Sequence, residues 1–283
     1  MPIRPRQAFK SGLLAVLSLP AAMSRTRALS VLTYHAVVDE PSPIAVSPAL
    51  FRRHVGHLRR AGYRAVSFAE AARALDGGAP VDPRLVCITF DDAYRSVLEN
   101  AVPVLREAGF VATIFVPTAH AGDANRWDAA APPRGWPILS WEELGGLARC
   151  GFEIGSHTRT HPNLPGLDEA SMNDELAGSR RELEDRLGME VSSFCYPFGR
   201  HDARTRAAVL AAGYRAACTI EFGACVAAHD RMRLPRIGTA RLRTPFQFRA
   251  ALGGAFELYL RALGRAAPRP AAPGHRRDGA RRR

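Results

Sequence analysis

Apolar residues along this chain come in short unbroken runs, separated by longer stretches in which they recur every three or four positions. The runs Ser30–His35, Leu85–Phe90, Val111–Val116, Phe152–Ile154, Ser193–Pro197 and Tyr214–Ile220 read as strands, and Leu234-Pro235-Arg236-Ile237 as a last one. The more apolar of them do not alternate with polar residues, which marks strands covered on both faces, as in a parallel sheet. The stretches between them read as helices with recognisable ends. Ser47-Pro48 supplies a cap and a first-turn proline, and Gly62 closes that helix. Ser67 with Glu70, and Ser140 with Glu143, have the spacing of capping boxes. Met172, Leu176, Ser179, Leu183 and Leu187 fall on one stripe of a long helix that Gly188 stops. This alternation predicts a single α/β domain, a barrel or a doubly wound sheet, and 283 residues suffice for one large core.

In both architectures the chemistry collects at the carboxyl ends of the strands. His35, Asp91, Asp92, Ser156, His157 and the turn Tyr196-Pro197-Phe198-Gly199 all stand at such ends. Taken singly these motifs are weak. Two aspartates after a strand are commonly a turn or a helix cap, and two histidines one helical turn apart are usually unrelated. Their shared location is what joins them. Asp92, His157 and His161 can supply three ligands to one divalent ion and leave a position open for water, and Asp91 can take that water's proton. Imidazole and carboxylate donors suit zinc, and nickel, cobalt or iron fit the same set.

These residues resemble the polysaccharide deacetylases of the NodB-homology type, carbohydrate esterase family 4. Thr89-Phe90-Asp91-Asp92 matches that family's TFDD motif, and His157-Thr158-Arg159-Thr160-His161 matches its second, H-[ST]-x-x-H. Cys195-Tyr196-Pro197-Phe198 corresponds to the third, R-x-P-[YF]. Leu32-Thr33-Tyr34-His35 and Gly155-Ser156-His157 are similar to a bacterial subgroup linked to exopolysaccharide synthesis, and the resemblance runs from about Val31 to about Ile237. It implies a distorted (β/α) barrel with fewer strands than the full form. It implies a metal-dependent hydrolase that removes an N-acetyl or related acyl group from an amino sugar in a poly-, oligo- or lipid-linked saccharide. Asp91 would be the base, and a backbone N–H near Phe198 would help hold the oxyanion. The chain departs from the pattern in three places. Cys195 stands where the family has the arginine that orients the base, and Arg236 is the candidate replacement. The late L-x-H motif that carries the general acid is absent, and His35, at a strand end, is the candidate acid. Ala93 stands for the glycine of DDGY, which expects a turn with negative φ there. The alternative reading is a catalytically weak or inactive carbohydrate-binding or assembly protein that keeps the metal site, and the retained Asp91 speaks against it.

The formal charge of +12 sits at the ends of the chain. Arg4, Arg6, Lys10, Arg25 and Arg27 meet no acid within residues 1–28, and eight arginines face Asp278 within 261–283, so 29–260 is balanced. That division sets the expected organisation: a basic and apolar start at 1–28, a catalytic domain at 29–260 and a disordered basic tail at 261–283. A neutral domain argues against a broad nucleic-acid face. The apolar run Leu13–Leu19 is too short to span a bilayer and, after Arg4, Arg6 and Lys10, resembles a signal peptide. Export to the periplasm or beyond would follow from it. Five cysteines without metal-type spacing, three of them in expected core strands, favour a reducing compartment instead. The expectation is therefore a cytoplasmic protein with peripheral contact at the inner membrane through its basic ends. Trp127 and Trp136 lie in a loop between Ala119 and Leu139, where they either stack on a sugar or plug the edge of the core.

Overall fold

The computed structural model describes residues 28–76, 81–125, 127 and 135–252. The expected N-terminal segment up to 27 and the basic tail 261–283 lie outside these residues. The elements are β1 (Ser30–Tyr34), α1 (Pro48–Arg60), β2 (Arg64–Val66), α2 (Phe68–Asp76), β3 (Leu85–Phe90), α3 (Val102–Ala108), β4 (Thr113–Val116) and α4 (Trp141–Arg149). They continue with β5 (Glu153–Ser156), α5 (Glu169–Asn173), α6 (Ser179–Leu187), β6 (Ser193–Cys195), α7 (Ala203–Ala211), β7 (Ala216–Phe222), β8 (Leu234–Gly238) and α8 (Pro245–Leu252).

All the strand pairings are parallel, and β1 pairs with both β8 and β3, so seven strands close into a barrel with β2 outside the ring. The sequence reading misses β2, because its three residues are too short to show a period. β3 accommodates it by sharing one edge. Leu85–Cys87 pairs with β2, then Thr89–Phe90 pairs with β4.

Closure sorts the side chains of every strand into inner and outer sets. On β3, Val86, Ile88 and Phe90 join the apolar layer under the helices, while Cys87 joins a separate cluster with Val31, Phe115, Cys195, Cys218 and Leu234. That second cluster draws on six strands and fills the barrel interior. α2 closes its amino-terminal pole, where Phe68 meets Phe115 edge-on at 5.6 Å. Glu153 fastens the plug. Its carboxylate accepts from the Phe68 and Ala69 backbone N–H groups at 2.7 and 3.1 Å, from Thr113 Oγ1 at 2.7 Å and from Ser193 Oγ at 2.5 Å. A carboxylate at a helix N-terminus is well placed for both the open N–H groups and the dipole.

Outside the ring, His54 ties α1 to β1 and to the chain before α8. Tyr34 OH donates to its Nδ1 at 3.0 Å, its Nε2–H donates to the Leu242 carbonyl at 2.9 Å, and Phe248 stacks on it at 4.0 Å. Burial pushes the His54 imidazole down to about 4, with Arg53 and His57 adding and the Leu242 carbonyl opposing. A histidine whose pKa falls on folding binds fewer protons folded than unfolded, so its contribution is intact above about 6.5 and lost as the pH falls towards 4. The loss amounts to about 3 kcal/mol. Urea midpoints measured across that window should therefore fall less steeply for His54→Gln than for the parent. Parallel curves would remove His54 as the cause.

Candidate active site and metal centre

Asp91 and Asp92 follow β3 at the barrel mouth. Strand alternation would send them to opposite faces. The chain instead turns through left-handed backbone at Asp92 (φ 69°) and Ala93 (φ 52°), which brings the Asp92 carboxylate back to the mouth beside Asp91. The negative φ expected at Ala93 is thus corrected, and alanine accepts a strained conformation that costs about 1 kcal/mol. Its methyl group is fully buried, and the Ala93 carbonyl is tied to the Leu139 N–H at 2.9 Å.

His157 and His161 come from the end of β5. Their Nε2 atoms lie 3.5 and 3.4 Å from Asp92 Oδ1. Three ligands bonded at about 2.0–2.1 Å in a tetrahedral arrangement stand about 3.3 Å apart, so both imidazoles are close to the distance from Asp92 that one small divalent ion would need. His157 Nδ1–H donates to the Cys195 carbonyl at 2.7 Å, which turns its Nε2 lone pair inward. Burial pushes the His161 imidazole well below its usual range, with His157 adding to the effect, so it stays a neutral donor. Asp91, His157 and Cys195 also have donor atoms within 4.8 Å of one another, but Arg236 takes both oxygens of Asp91, so the first triad is the candidate centre.

The histidine loop is itself strained, with Thr158 at φ 70° and His161 at φ 61°. Glu175 holds it. Its carboxylate accepts from the Arg159 and Thr160 N–H groups at 2.8 and 2.9 Å and from Thr160 Oγ1 at 2.6 Å. The sequence reading misses Glu175, although a carboxylate beside the apolar stripe at Leu176 is a signal. The long helix expected over that stripe is broken between α5 and α6 by a π-helical turn, Asp174–Gly178. The widened turn lets Glu175 and Leu176 both face inward, and such turns are common at functional sites. Glu175→Gln meets the three donors with one acceptor oxygen and an NH₂. It should weaken zinc binding about 10- to 100-fold in calorimetric titration while the barrel stays folded. Unchanged affinity would show that the loop keeps its shape without the carboxylate.

Arg236, on β8, reaches across the interior to Asp91. Its two terminal nitrogens donate to Asp91 Oδ1 and Oδ2, both at 2.7 Å, and its Nε donates to the Thr219 carbonyl at 2.8 Å. It also donates to Thr89 Oγ1 at 3.1 Å and to Cys195 Sγ at 3.2 Å. Burial pushes the Cys195 thiol up, so Asp91 is the countercharge that the guanidinium meets. Burial alone would raise the pKa of Asp91, but Arg236 outweighs it and holds the carboxyl well below the usual range. His35 Nε2 lies 3.8 Å from Asp91 Oδ2, with a quarter of its side chain exposed.

Aromatic rings frame the mouth. Phe198 packs edge-on against His161 at 4.6 Å, and Trp127 stacks on the same ring at 4.6 Å. Trp136 sits edge-on to Tyr94 at 5.3 Å and donates its indole N–H to Glu40 at 2.9 Å, so it pins two mouth loops together. Phe198 has φ 56° and Gly199 φ 65°. A Cβ on Gly199 would lie 2.3 Å from Ile220 Cγ1 and 2.8 Å from the Ile220 nitrogen, so only glycine fits under Phe198. Gly199→Ala should cost about 2 kcal/mol or more and displace the Phe198 peptide. A melting temperature within a degree of the parent would show that this turn can relax.

Residues 78–217 match the family model described as polysaccharide deacetylase, a span that holds Asp91, Asp92, His157, His161 and Phe198 and leaves out His35 and Arg236. The chain is 30% identical over 196 residues to YxkH of Bacillus subtilis, which is assigned to the same family, covering 69% of this chain and 66% of that protein. It is 26% identical over 163 residues to a poly-beta-1,6-N-acetyl-D-glucosamine N-deacetylase of Staphylococcus aureus and spans 54% of its length. The solved structure of IcaB from Ammonifex degensii superposes with a TM-score of 0.65 at 26% identity, covering 81% of this chain and 97% of that one. The likeness thus takes in the closed barrel and the strand ends that carry the aspartates and histidines, and the chain belongs to the polysaccharide deacetylase family.

Proposed function

We propose that this chain is a metal-dependent hydrolase that removes an N-acetyl group from an amino sugar within a saccharide chain. The observation that carries the reading is the Asp92–His157–His161 triad standing beside a buried carboxylate, Asp91, that is not part of it. A binding protein has no need of that second group. Asp92, His157 and His161 would hold one divalent ion, most simply zinc, which when bound polarises the amide carbonyl and acidifies the attacking water. Asp91 takes the proton of that water. Arg236 keeps Asp91 ionised and fixes the direction of its oxygens. His35, at the end of the neighbouring strand β1, lies 3.8 Å from Asp91 and gives a proton to the departing amine. The Phe198 peptide, in its left-handed turn against His161, is the donor for the oxyanion. The staphylococcal likeness favours β-1,6-linked N-acetylglucosamine chains as substrate.

The test is acetate release from β-1,6- and β-1,4-linked N-acetylglucosamine oligomers, by zinc-loaded protein and by protein stripped with a chelator. Release that needs the metal and prefers the β-1,6 linkage supports the reading. Saccharide binding without acetate release by the loaded protein would leave the carbohydrate-binding alternative standing.

A further inference from the structure

The inward positions of β8 follow in order. Leu234 belongs to the cluster that fills the barrel, and Arg236 reaches through the interior to Asp91, so alternation turns Gly238 to the same side. Ile237, between them, packs outward under the helices. Register sets Gly238 opposite Thr33 on β1, and Thr33 opposite Thr89 on β3. Gly238 therefore stands one inward step below the level of His35 and Asp91. It is nevertheless exposed, between Ile237 at 1% and Thr239 at 0%, and a Cβ built on it would meet nothing within 4 Å. Thr33 and Thr89, at the same level, are buried. The mouth thus reaches deeper along β8 than along β1 and β3. On the neighbouring β7, Ile220 is 41% exposed and lies against Gly199, under Phe198, which is 39% exposed. Two of the four exposed large apolar side chains among the described residues therefore stand together on this side of the mouth.

We propose that Gly238 is a specificity-determining position, and that the recess it leaves receives the sugar ring that carries the reacting amide. The inference rests on the deacetylase reading. When the amide is cleaved the nitrogen stays on the sugar, and His35 is the group that protonates it. The ring accordingly lies on the His35 side of the scissile bond, where β1 meets β8. In a β-linked N-acetylglucosamine every ring substituent is equatorial, so both ring faces present C–H groups, which suit the exposed Ile220 and Phe198. A side chain at 238 would project into the space the ring takes. The backbone does not call for glycine here, because its φ is not left-handed and no neighbour crowds the Cβ direction. Gly199 is the contrasting case, where the fold itself excludes a methyl group. The absence of a side chain at 238 serves the substrate.

Gly238→Ala and Gly238→Leu test this. Both should keep the parent's melting temperature and zinc affinity, since the added carbons enter open space away from the triad. Gly238→Leu should weaken binding of a glucosamine tetramer, the deacetylated product, at least about tenfold in calorimetric titration, the scale on which a pocket rejects one surplus methylene. Gly238→Ala should fall between it and the parent. The KM for N-acetylglucosamine oligomers should rise in the same order. Unchanged affinity and KM in Gly238→Leu would overturn the inference. So would a raised KM with product affinity untouched, which would assign the recess to the acyl group. A lowered melting temperature in Gly238→Ala would make the glycine structural and overturn it too. A parent that neither binds nor deacetylates the oligomers would remove the deacetylase reading itself, and that failure shows before any substitution is made.

Discussion

Asp91→Asn is expected to lower turnover by about two to four orders of magnitude, the range for loss of a general base, while one metal ion stays bound. The two aspartates separate because the left-handed turn at Asp92 aims that carboxylate at the histidines and leaves Asp91 with Arg236. The substitution also costs stability. Arg236 is 1% exposed, and a buried guanidinium stripped of its countercharge typically costs about 3–5 kcal/mol. Arg236→Met strands Asp91 in the same way and should destabilise by a similar amount. The double variant removes both charges and should lose less than the sum of the two, by about 1–3 kcal/mol in urea unfolding. Arg236→Met carries a kinetic signature as well. With the guanidinium gone, the pKa of Asp91 rises, its basic form is lost at higher pH, and the acidic limb of the pH–rate profile moves up. An unchanged rate in Asp91→Asn would place the base elsewhere. Strictly additive stabilities would mean that the pair is not coupled.

The second large effect concerns the histidines. Replacing both His157 and His161 by alanine should abolish stoichiometric metal and, with it, acetate release. The reason is geometric. Two imidazoles, each with its Nε2 3.4–3.5 Å from the Asp92 carboxylate, form with it a set that one carboxylate cannot replace. Zinc should raise the melting temperature of the parent, since it binds the folded form. It should leave that of the double variant unmoved. Full metal content in the double variant, measured by elemental analysis, would remove both residues from the centre.

Much of this arrangement is legible in the sequence alone. Alternating runs gave the parallel α/β architecture, because a strand buried on both faces is written as a continuous apolar run. Strand ends then located Asp91, Asp92 and His157 together. What was hidden has specific causes. β2 has three residues and no period to read. Glu175 acts across 15 or 16 positions through a helix whose phase a π turn has altered, and ideal helical spacing cannot anticipate that. Alanine in place of the glycine predicts a negative φ at Ala93, and the side chain alone does not reveal that the backbone is left-handed there. The site instead keeps the backbone and tolerates the strain. The five non-glycine residues with positive φ among those described are Asp92, Ala93, Thr158, His161 and Phe198, and every one of them stands at the mouth.

The Asp91–Arg236 pair also bears on how such chains are compared. The resemblance expects the supporting arginine on β6, at the position of Cys195, whereas here a guanidinium arrives from β8 and touches Cys195 Sγ at 3.2 Å. An alignment column records a lost residue where the barrel records a relocated charge. Cys195 Sγ touches the guanidinium that holds Asp91, so an arginine side chain at 195 would meet Arg236 beside the same carboxylate. Restoring the consensus at Cys195 alone would set two guanidinium groups against each other in a closed interior. A comparison of position 195 alone would therefore miss the ion pair that β8 supplies.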